Sequence, residues 1–160
     1  MSVSTGAARP GNTGYGLVEL LAATSIVAIL ASIALPSYQS SRLKAARNLG
    51  AACLLDARQR IESRYARQGR YPPAGSGMAV LGYPDDPHRC DAPADYQLSL
   101  AITSTPGYTL TARAIGRQVA DGDLLLVVDP RPANPNERLQ KLHRRPDGRL
   151  LPDWRFEPGR

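Results

Sequence analysis

The most unusual feature of the chain is an uninterrupted apolar run near its start. Residues 17–35 read LVELLAATSIVAILASIAL, and Glu19 is the single charged position among these 19 residues. As a helix, the run would rise about 28 Å, close to the hydrocarbon thickness of a bilayer. A buried core helix normally keeps a polar face, and a secretory signal has a shorter apolar region followed by a small-residue cut site. The pattern therefore predicts a membrane-inserted helix. The positive charge of Arg9 predicts that residues 1–14 stay cytoplasmic.

Glu19 is the anomaly within this run. A carboxylate in an apolar span is costly on insertion scales, so it needs a named partner. No Lys or Arg lies within helical reach on either side. Two interpretations stay open at this point. Glu19 is either near enough to the interface to reach water, or it pairs with a cation from another chain or with an amino terminus made by cutting nearby.

The residues that precede the apolar run resemble a processing motif. The segment GYGLVE at 14–19, followed by the apolar run, resembles the prepilin cleavage motif of type IV pilins and type II secretion pseudopilins. The resemblance implies that a prepilin peptidase cuts between Gly14 and Tyr15 and methylates the new amino group of Tyr15. It also implies that Glu19 pairs with this amine of a neighbouring subunit during assembly. The family usually has Phe after the cut, and Tyr15 keeps the aromatic ring.

The helical pattern continues beyond the apolar run. Pro36 removes a backbone hydrogen bond and predicts an end or a kink, and the resemblance favours a kink because pilins continue past a proline here. Residues 37–68 contain no Pro and one Gly, and they are rich in helix formers. With Gly69 as the stop, residues 16–68 are predicted as one kinked helix of roughly 80 Å. A stripe of mostly small residues at three- and four-residue steps predicts a packing face: Ala46, Gly50, Cys53, Ala57 and Ile61.

Alternation of apolar and polar positions predicts strands in the C-terminal part. The predicted strands are 96–102, 108–114 and 124–128, with weaker ones at 138–143 and 149–151, a turn at 105–107 and a connecting loop over 75–93. One long helix followed by three to five antiparallel strands is an α+β arrangement. In the resembling family this is the pilin fold, a long kinked helix packed on a small antiparallel sheet.

Short segments after the helix make the resemblance more specific. GRYP at 69–72, YQLSL at 96–100, YTLTA at 108–112, DGD at 121–123 and Trp154 are similar to the PilE-type minor pilins. The resemblance implies a leader (1–14), a membrane-spanning or filament-core helix half (15–36), an amphipathic periplasmic helix half (37–70), a connecting loop (71–95), and a sheet with a C-terminal loop (96–160). One departure is the lack of the two C-terminal cysteines that this family commonly bonds to each other.

Cys53 and Cys90 are the two cysteines of this chain. In the pilin interpretation they would lie in an oxidising periplasm, where disulfides persist. Cys53 lies on the predicted packing face of the helix, and Cys90 lies in the loop that crosses this region. A bond between them would contribute about 3–4 kcal/mol in the chain-entropy model. Two unpaired buried thiols are the alternative.

The charge distribution is uneven. The chain has 160 residues with a net charge of +6, and the second half of the predicted helix is strongly basic, whereas the region after it is acidic and the tail is basic. A solvated or subunit-facing helix surface is the first interpretation, with attraction to lipid headgroups near the membrane as another. Weak DNA binding would use phosphate attraction without base readout. The residues that would carry it are Arg42, Lys44, Arg47, Arg58, Arg60, Arg64 and Arg67.

The sequence contains no recognisable catalytic constellation. His88 and His143 have no nucleophile at motif spacing, and neither a P-loop nor a dinucleotide fingerprint is present. Asp121 and Asp123 lack the further spacing of a calcium loop, so a turn or capping role is predicted. We therefore expect no enzyme, no metal and no cofactor.

The predicted function is a minor type IV pilin. It would be held in the inner membrane by its N-terminal helix, with the C-terminal part periplasmic, and then join pili to initiate or prime assembly in adhesion, twitching motility or DNA uptake. Its partners would be other pilins, a prepilin peptidase and the inner membrane. The alternatives are a type II secretion pseudopilin and a pilus-borne DNA receptor for natural transformation. The separated basic and acidic regions favour charge matching between subunits over a polyanionic ligand.

Overall fold

The structure is a computed structural model that describes residues 16–90, 95–102, 107–131 and 138–154. The chain divides into two compact units, Met1–Gln39 and Ser40–Arg160, and we call the second unit the head. Helix α1, Leu17–Gln68, contributes its first part to one unit and its remainder to the other. The predicted cleavage point between Gly14 and Tyr15 lies outside the described residues.

The described part of the first unit is helical and apolar. Its large side chains are exposed, as in Leu17 at 74% and Leu30 at 61%. The hydroxyl of Ser25 donates to the carbonyl of Leu21 at 2.7 Å, so this polar group is satisfied within the helix. Over the described residues, α1 is the one helix long and apolar enough to cross a membrane, with a mean hydropathy of 2.2 in its most apolar window. The helix continues through Pro36, and the predicted kink there stays a prediction.

The head contains one antiparallel sheet whose strands follow each other in chain order. The strands are β1 (His88–Arg89), β2 (Tyr96–Ile102), β3 (Tyr108–Ala114), β4 (Asp123–Val128), β5 (Leu139–Arg144) and β6 (Leu150–Pro152). The described residues of the head also form two short 3₁₀ helices, the first at Met78–Leu81 and the second at Gly116–Ala120. The predicted α+β class is therefore confirmed.

One face of the sheet forms the core together with α1. Buried residues alternate with more exposed ones through β3 and the first part of β2, and three successive leucines of β4 are buried. The register places Leu98 opposite Ala112 and Leu110 opposite Leu126. These residues share one cluster with Leu54, Ala57 and Ile61 of α1, none of which is exposed. The predicted packing stripe is confirmed, because Ala46, Gly50, Ala57 and Ile61 are buried and Cys53 is partly buried.

The predicted loop over 75–93 is more ordered than expected. It contains the first 3₁₀ helix and β1, which pairs with β2 through His88 and Leu98. A strand of two residues is too short to produce an alternating pattern, so hydrophobic periodicity could not reveal it. The remaining strands lie within one or two residues of their predicted bounds.

Candidate interaction surfaces of the head

Arg47 belongs to the interior of the head. Its side chain is 5% exposed, and its guanidinium forms an ion pair with Asp121, whose side chain is equally buried. Nε of Arg47 donates to Oδ2 of Asp121 at 2.7 Å, while Nη2 pairs with Oδ1. The prediction that Arg47 contributes to DNA binding is therefore wrong, because its two-pronged donor set is enclosed and engaged by a carboxylate.

Asp121 is the centre of a buried polar cluster. It caps the second 3₁₀ helix, as predicted, with its amide donating to the carbonyl of Gln118 at 2.8 Å. Its carboxylate also accepts from Nε2 of Gln118 at 2.6 Å and from the hydroxyl of Tyr96 at 3.4 Å. The carbonyl of Asp121 lies 2.6 Å from Nε2 of His143, and burial lowers the pKa of that imidazole. The cluster thereby joins α1, β2, β5 and the second 3₁₀ helix.

A disulfide bond and a buried tryptophan also stabilise the head. Cys53 and Cys90 are bonded to each other, with their Cα atoms 6.1 Å apart, which confirms the predicted pair and excludes the alternative of free thiols. Trp154 is buried, and its indole Nε1 donates to the carbonyls of Leu125 and Leu142 at 3.1 and 3.2 Å. The last described residue is therefore tied to two strands without a cysteine beside it.

A basic groove lies between α1 and the first 3₁₀ helix. Its volume is about 390 Å³, and we call it the arginine groove. It is lined by Asp56, Gln59, Arg60, Ser63, Arg64, Arg67, Val80 and Leu81. Nη1 of Arg60 donates to the carbonyl of Leu81 at 3.4 Å, and Nη1 of Arg64 donates to that of Val80 at 3.3 Å. The 3₁₀ helix thus positions two of the three guanidinium groups.

The carboxylate in this groove is held by two donors. The hydroxyl of Tyr83 donates to Oδ2 of Asp56 at 2.6 Å, and Nε of Arg60 donates to the same oxygen at 2.9 Å. The Tyr83 hydrogen bond is the largest cause of the lowered pKa of Asp56. Burial and the neighbouring carboxylate raise the pKa of Tyr83. The groove therefore carries three cations and one ionised, already engaged anion at neutral pH.

A second cleft, of about 480 Å³, lies on another side of α1. We call it the C-terminal cleft; it is lined by Lys44, Arg47, Asn48, Ala51, Lys141, Asp153 and Trp154. Nζ of Lys141 lies 5.2 Å from the centre of the Trp154 ring. The cleft contains both signs of charge, since Asp153 faces it together with the cations. Sequence reasoning did not single out Lys141, which it placed only within a weak strand.

The predicted DNA-binding residues are therefore divided among different places. Arg60, Arg64 and Arg67 meet in the arginine groove, whereas Lys44 lines the C-terminal cleft. Arg42 is exposed, and Arg58 is partly buried. The spacing of positions 60, 64 and 67 could have distinguished these three arginines from the other basic residues of the helix, because positions so spaced share one helix face.

Glu19 lies exposed in the first turn of α1. Its amide donates to the carbonyl of Gly16 at 2.9 Å, at the point where the helix begins. Gly14 and Tyr15, the predicted cleavage and methylation residues, lie outside the described part of the chain. The pairing of Glu19 with the Tyr15 amine of another subunit stays a prediction.

A long helix that begins exposed and apolar and then packs its later part on an antiparallel sheet is the arrangement of a pilin. The model of a family described as "Type IV minor pilin ComP, DNA uptake sequence receptor" matches residues 36–123, more than half of the chain. The chain belongs to this family and is a type IV minor pilin. Searches of curated proteins and of solved structures returned no match.

Proposed function

We propose that the chain enters type IV pili through the N-terminal part of α1, after cleavage between Gly14 and Tyr15. The observation that carries this proposal is the exposed apolar surface of residues 17–35, which has Glu19 in its first turn. Apolar surface of this length is stable in a bilayer or against the helices of like subunits. Before assembly, the chain would cross the inner membrane once and hold the head in the periplasm, a compartment that suits the Cys53–Cys90 bond.

Glu19 is the residue that couples this helix to its neighbours. A carboxylate surrounded by apolar side chains is stable only when a cation accompanies it. The methylated amine of Tyr15 in an adjacent subunit supplies that cation and fixes the axial position of one helix relative to the next. In this role the chain helps to initiate or prime pilus assembly.

The test compares the Glu19→Gln chain with the wild-type chain in cells that make pili. We expect both proteins to be processed and to accumulate in membranes, but we expect only the wild type to appear in the sheared pilus fraction. Ser25→Ala, an exposed polar change in the same helix, is the matched control and should assemble normally. Entry of Glu19→Gln into pili at the wild-type level would overturn the role of Glu19.

Mass spectrometry of the mature chain tests the cleavage separately. A chain that begins with methylated Tyr15 is the expected result. Full-length protein that still carries residues 1–14 in cells with active peptidase would contradict the proposed cut.

A second function is DNA binding by the head. It is favoured by the description of the matched family as a DNA uptake sequence receptor, and by the grouping of three arginines in one groove. Lys and Arg side chains that neutralise phosphates release counterions. The logarithm of the binding constant therefore falls linearly with the logarithm of the salt concentration. The pilus family assignment also favours the pilus over the type II secretion alternative.

The experiment uses the full chain in nanodiscs of neutral lipid and a fluorescent DNA duplex. Anisotropy titrations over about 50 to 200 mM salt should give binding that weakens steadily with salt. Empty nanodiscs are the control for adsorption. Salt-insensitive or undetectable binding would contradict the receptor function without affecting the pilin assignment.

A further inference from the structure

We propose that the arginine groove holds the phosphate backbone of DNA, and that it contacts phosphates without reading base edges. This inference rests on the proposed DNA-binding function and adds the place and the mode of contact. The partner is the sugar–phosphate strand of a duplex, irrespective of its sequence.

The spacing of the three arginines suits a strand of phosphates. Positions 60, 64 and 67 follow the i, i+4, i+7 pattern, so they lie on one face of α1. Their Cα atoms are separated along the helix axis by about 6 Å and about 4.5 Å. In B-DNA, each successive phosphate of one strand advances about 3.4 Å along the axis of the duplex. Three cations within about 10 Å therefore match a short run of neighbouring phosphates.

The groove is organised before any ligand binds. Arg60 is held by Asp56, by the carbonyl of Leu81 and by the ring of Tyr83, over which its guanidinium carbon lies at 4.5 Å. Arg64 is held by the carbonyl of Val80. A guanidinium has five donors, and these contacts engage only part of each set. Because the long side chains are already oriented, less conformational entropy is lost when an anion binds.

The size and lining of the groove indicate phosphate contact. A space of about 390 Å³ admits individual phosphate groups but no base pair. The polar lining beyond the arginines consists of the Ser63 hydroxyl, the Gln59 amide and the Asp56 carboxylate that Tyr83 and Arg60 already engage. No aromatic ring is present among the lining residues for a base to stack on. Base readout in the major groove requires an element that enters a space about 12 Å wide. This groove is a concavity and has no such projecting element.

The C-terminal cleft is the weaker candidate for the same ligand. Asp153 shares it with Lys44 and Lys141 and repels phosphate. Trp154 has 9% of its surface exposed, which is too little for stacking on a base. The groove contains three arginines against one engaged carboxylate, so its field attracts a polyanion more strongly.

The test measures duplex binding by full-length variants in neutral nanodiscs. We expect Arg64→Gln/Arg67→Gln to lose about a hundredfold in affinity near 0.1 M salt, and its salt slope to fall by about two units. Arg67→Gln alone should lose about tenfold and one unit of slope, and Arg67→Lys should keep the slope because it keeps the charge. For the double variant and for Arg67→Gln, the loss of affinity should be the same on duplexes of different sequence.

Arg117→Gln is the control for net charge. Arg117 is exposed on the second 3₁₀ helix and does not line the groove, so its removal should change affinity by less than about twofold. Thermal unfolding of each variant checks the fold, and Arg67→Gln remains decisive if Arg64→Gln loosens the 3₁₀ helix. Arg67 is exposed, and none of the contacts that position the groove involves its side chain.

Three results would overturn the inference. The first is wild-type affinity and salt slope in the double variant. The second is a loss confined to one DNA sequence, which would indicate base readout. The third is an equal or larger loss in Lys44→Gln/Lys141→Gln, which would place the phosphates in the C-terminal cleft. If the wild-type chain binds no duplex, the DNA-binding function itself fails, and salt-sensitive association between copies of the chain would identify the groove as a subunit contact.

Discussion

Asp121 accepts hydrogen bonds from side chains of three different elements. Arg47 reaches it from α1, Gln118 from the second 3₁₀ helix and Tyr96 from β2. Burying a carboxylate and a guanidinium removes both from water, and the cost is recovered only when the remaining lone pairs and donors are satisfied. Asp121 meets this condition. The cluster therefore fixes the position of α1 on the sheet.

The first prediction concerns the removal of this carboxylate. Asp121→Ala leaves the charge of Arg47 buried without its partner, so we expect the free energy of unfolding to fall by about 3–5 kcal/mol. Denaturant unfolding of the full chain in detergent measures the change. Asp147→Asn, which removes a carboxylate from an exposed pair with Arg149, should cost less than about 1 kcal/mol.

A double replacement distinguishes an unpaired charge from lost packing. Arg47→Met combined with Asp121→Leu removes both charges and keeps apolar volume, so most of the stability lost in Asp121→Ala should return. If the double variant is as unstable as the single one, the buried charge is not the cause of the loss.

The second prediction is a dependence of stability on pH that arises at His143. Burial lowers its pKa from the ordinary value of 6.5, and the charges of Arg47 and Arg145 act in the same direction. Below pH 6.5 the unfolded chain takes up a proton that the folded chain still excludes. The free energy of unfolding therefore carries no penalty from His143 above pH 6.5. It falls as the pH drops from 6.5 toward the lowered pKa of the folded chain.

Denaturation midpoints at about pH 7.5 and about pH 5 measure this effect. We expect His143→Gln to show a smaller loss of stability between the two, because glutamine stays neutral. The His88→Gln variant keeps His143 and should keep the full loss. Equal losses in the wild type and in His143→Gln would show that another group causes the acid sensitivity.

At the scale of elements, the long patterns and the Cys53–Cys90 pair were predictable, but the Arg47–Asp121 pair was not. Helix-forming residues followed by Gly69 located the end of α1 at Gln68, and alternation located β2 and β3 at their observed bounds. Hydrophobic periodicity is a property of neighbouring residues, so it has no information on the pairing of Arg47 with Asp121, which are 74 positions apart. The position of Arg47 beside Ala46 and three residues before Gly50 put it at the border of the stripe, where burial depends on what packs against it.

The third prediction belongs to the contact between α1 and the sheet. A Cβ added at Gly50 would lie 2.5 Å from Cδ2 of Tyr96, whose ring is fully buried. Alanine normally favours a helix by about 1 kcal/mol over glycine. Because the Tyr96 hydroxyl is held by Asp121 and Gly122, the ring cannot move freely, and we expect Gly50→Ala to destabilise the head by about 1–3 kcal/mol.

Thermal unfolding of the full chain measures this change. Ala52→Gly, at an exposed position of the same helix, gives the propensity term alone and should lower stability by about 1 kcal/mol. A Gly50→Ala chain that is more stable than the wild type would show that α1 and β2 separate readily enough to accept the extra methyl group.

At the scale of the whole molecule, the net charge of +6 is the sum of charged residues that have different structural roles. One cation is used to fix the core, three meet in a groove, and others line a cleft that also holds an aspartate. From the sequence, the separated basic and acidic regions favoured charge matching between subunits. Once Arg47 is assigned to the interior, Arg60, Arg64 and Arg67 are the basic helix residues that share the arginine groove, and we expect contact with a polyanion there.

The fourth prediction is that the head folds without the apolar part of α1. Its core residues, its disulfide and the Arg47–Asp121 pair all lie between Ser40 and Trp154. We therefore expect a Ser40–Arg160 fragment, produced in an oxidising compartment, to unfold cooperatively, because domains with a complete core satisfy the two-state condition.

The matched comparison is a fragment that begins at Ala51. It keeps Cys53 and the sheet but lacks Ala46, Arg47 and Gly50, so Asp121 loses its ion-pair partner inside the core. Circular dichroism with urea should show it about 3–5 kcal/mol less stable than the longer fragment. If the Ser40 fragment shows no cooperative transition, the apolar first part of α1 contributes to folding. Equal stability of the two fragments would instead mean that residues 40–50 add nothing to the head, contrary to the burial of Arg47.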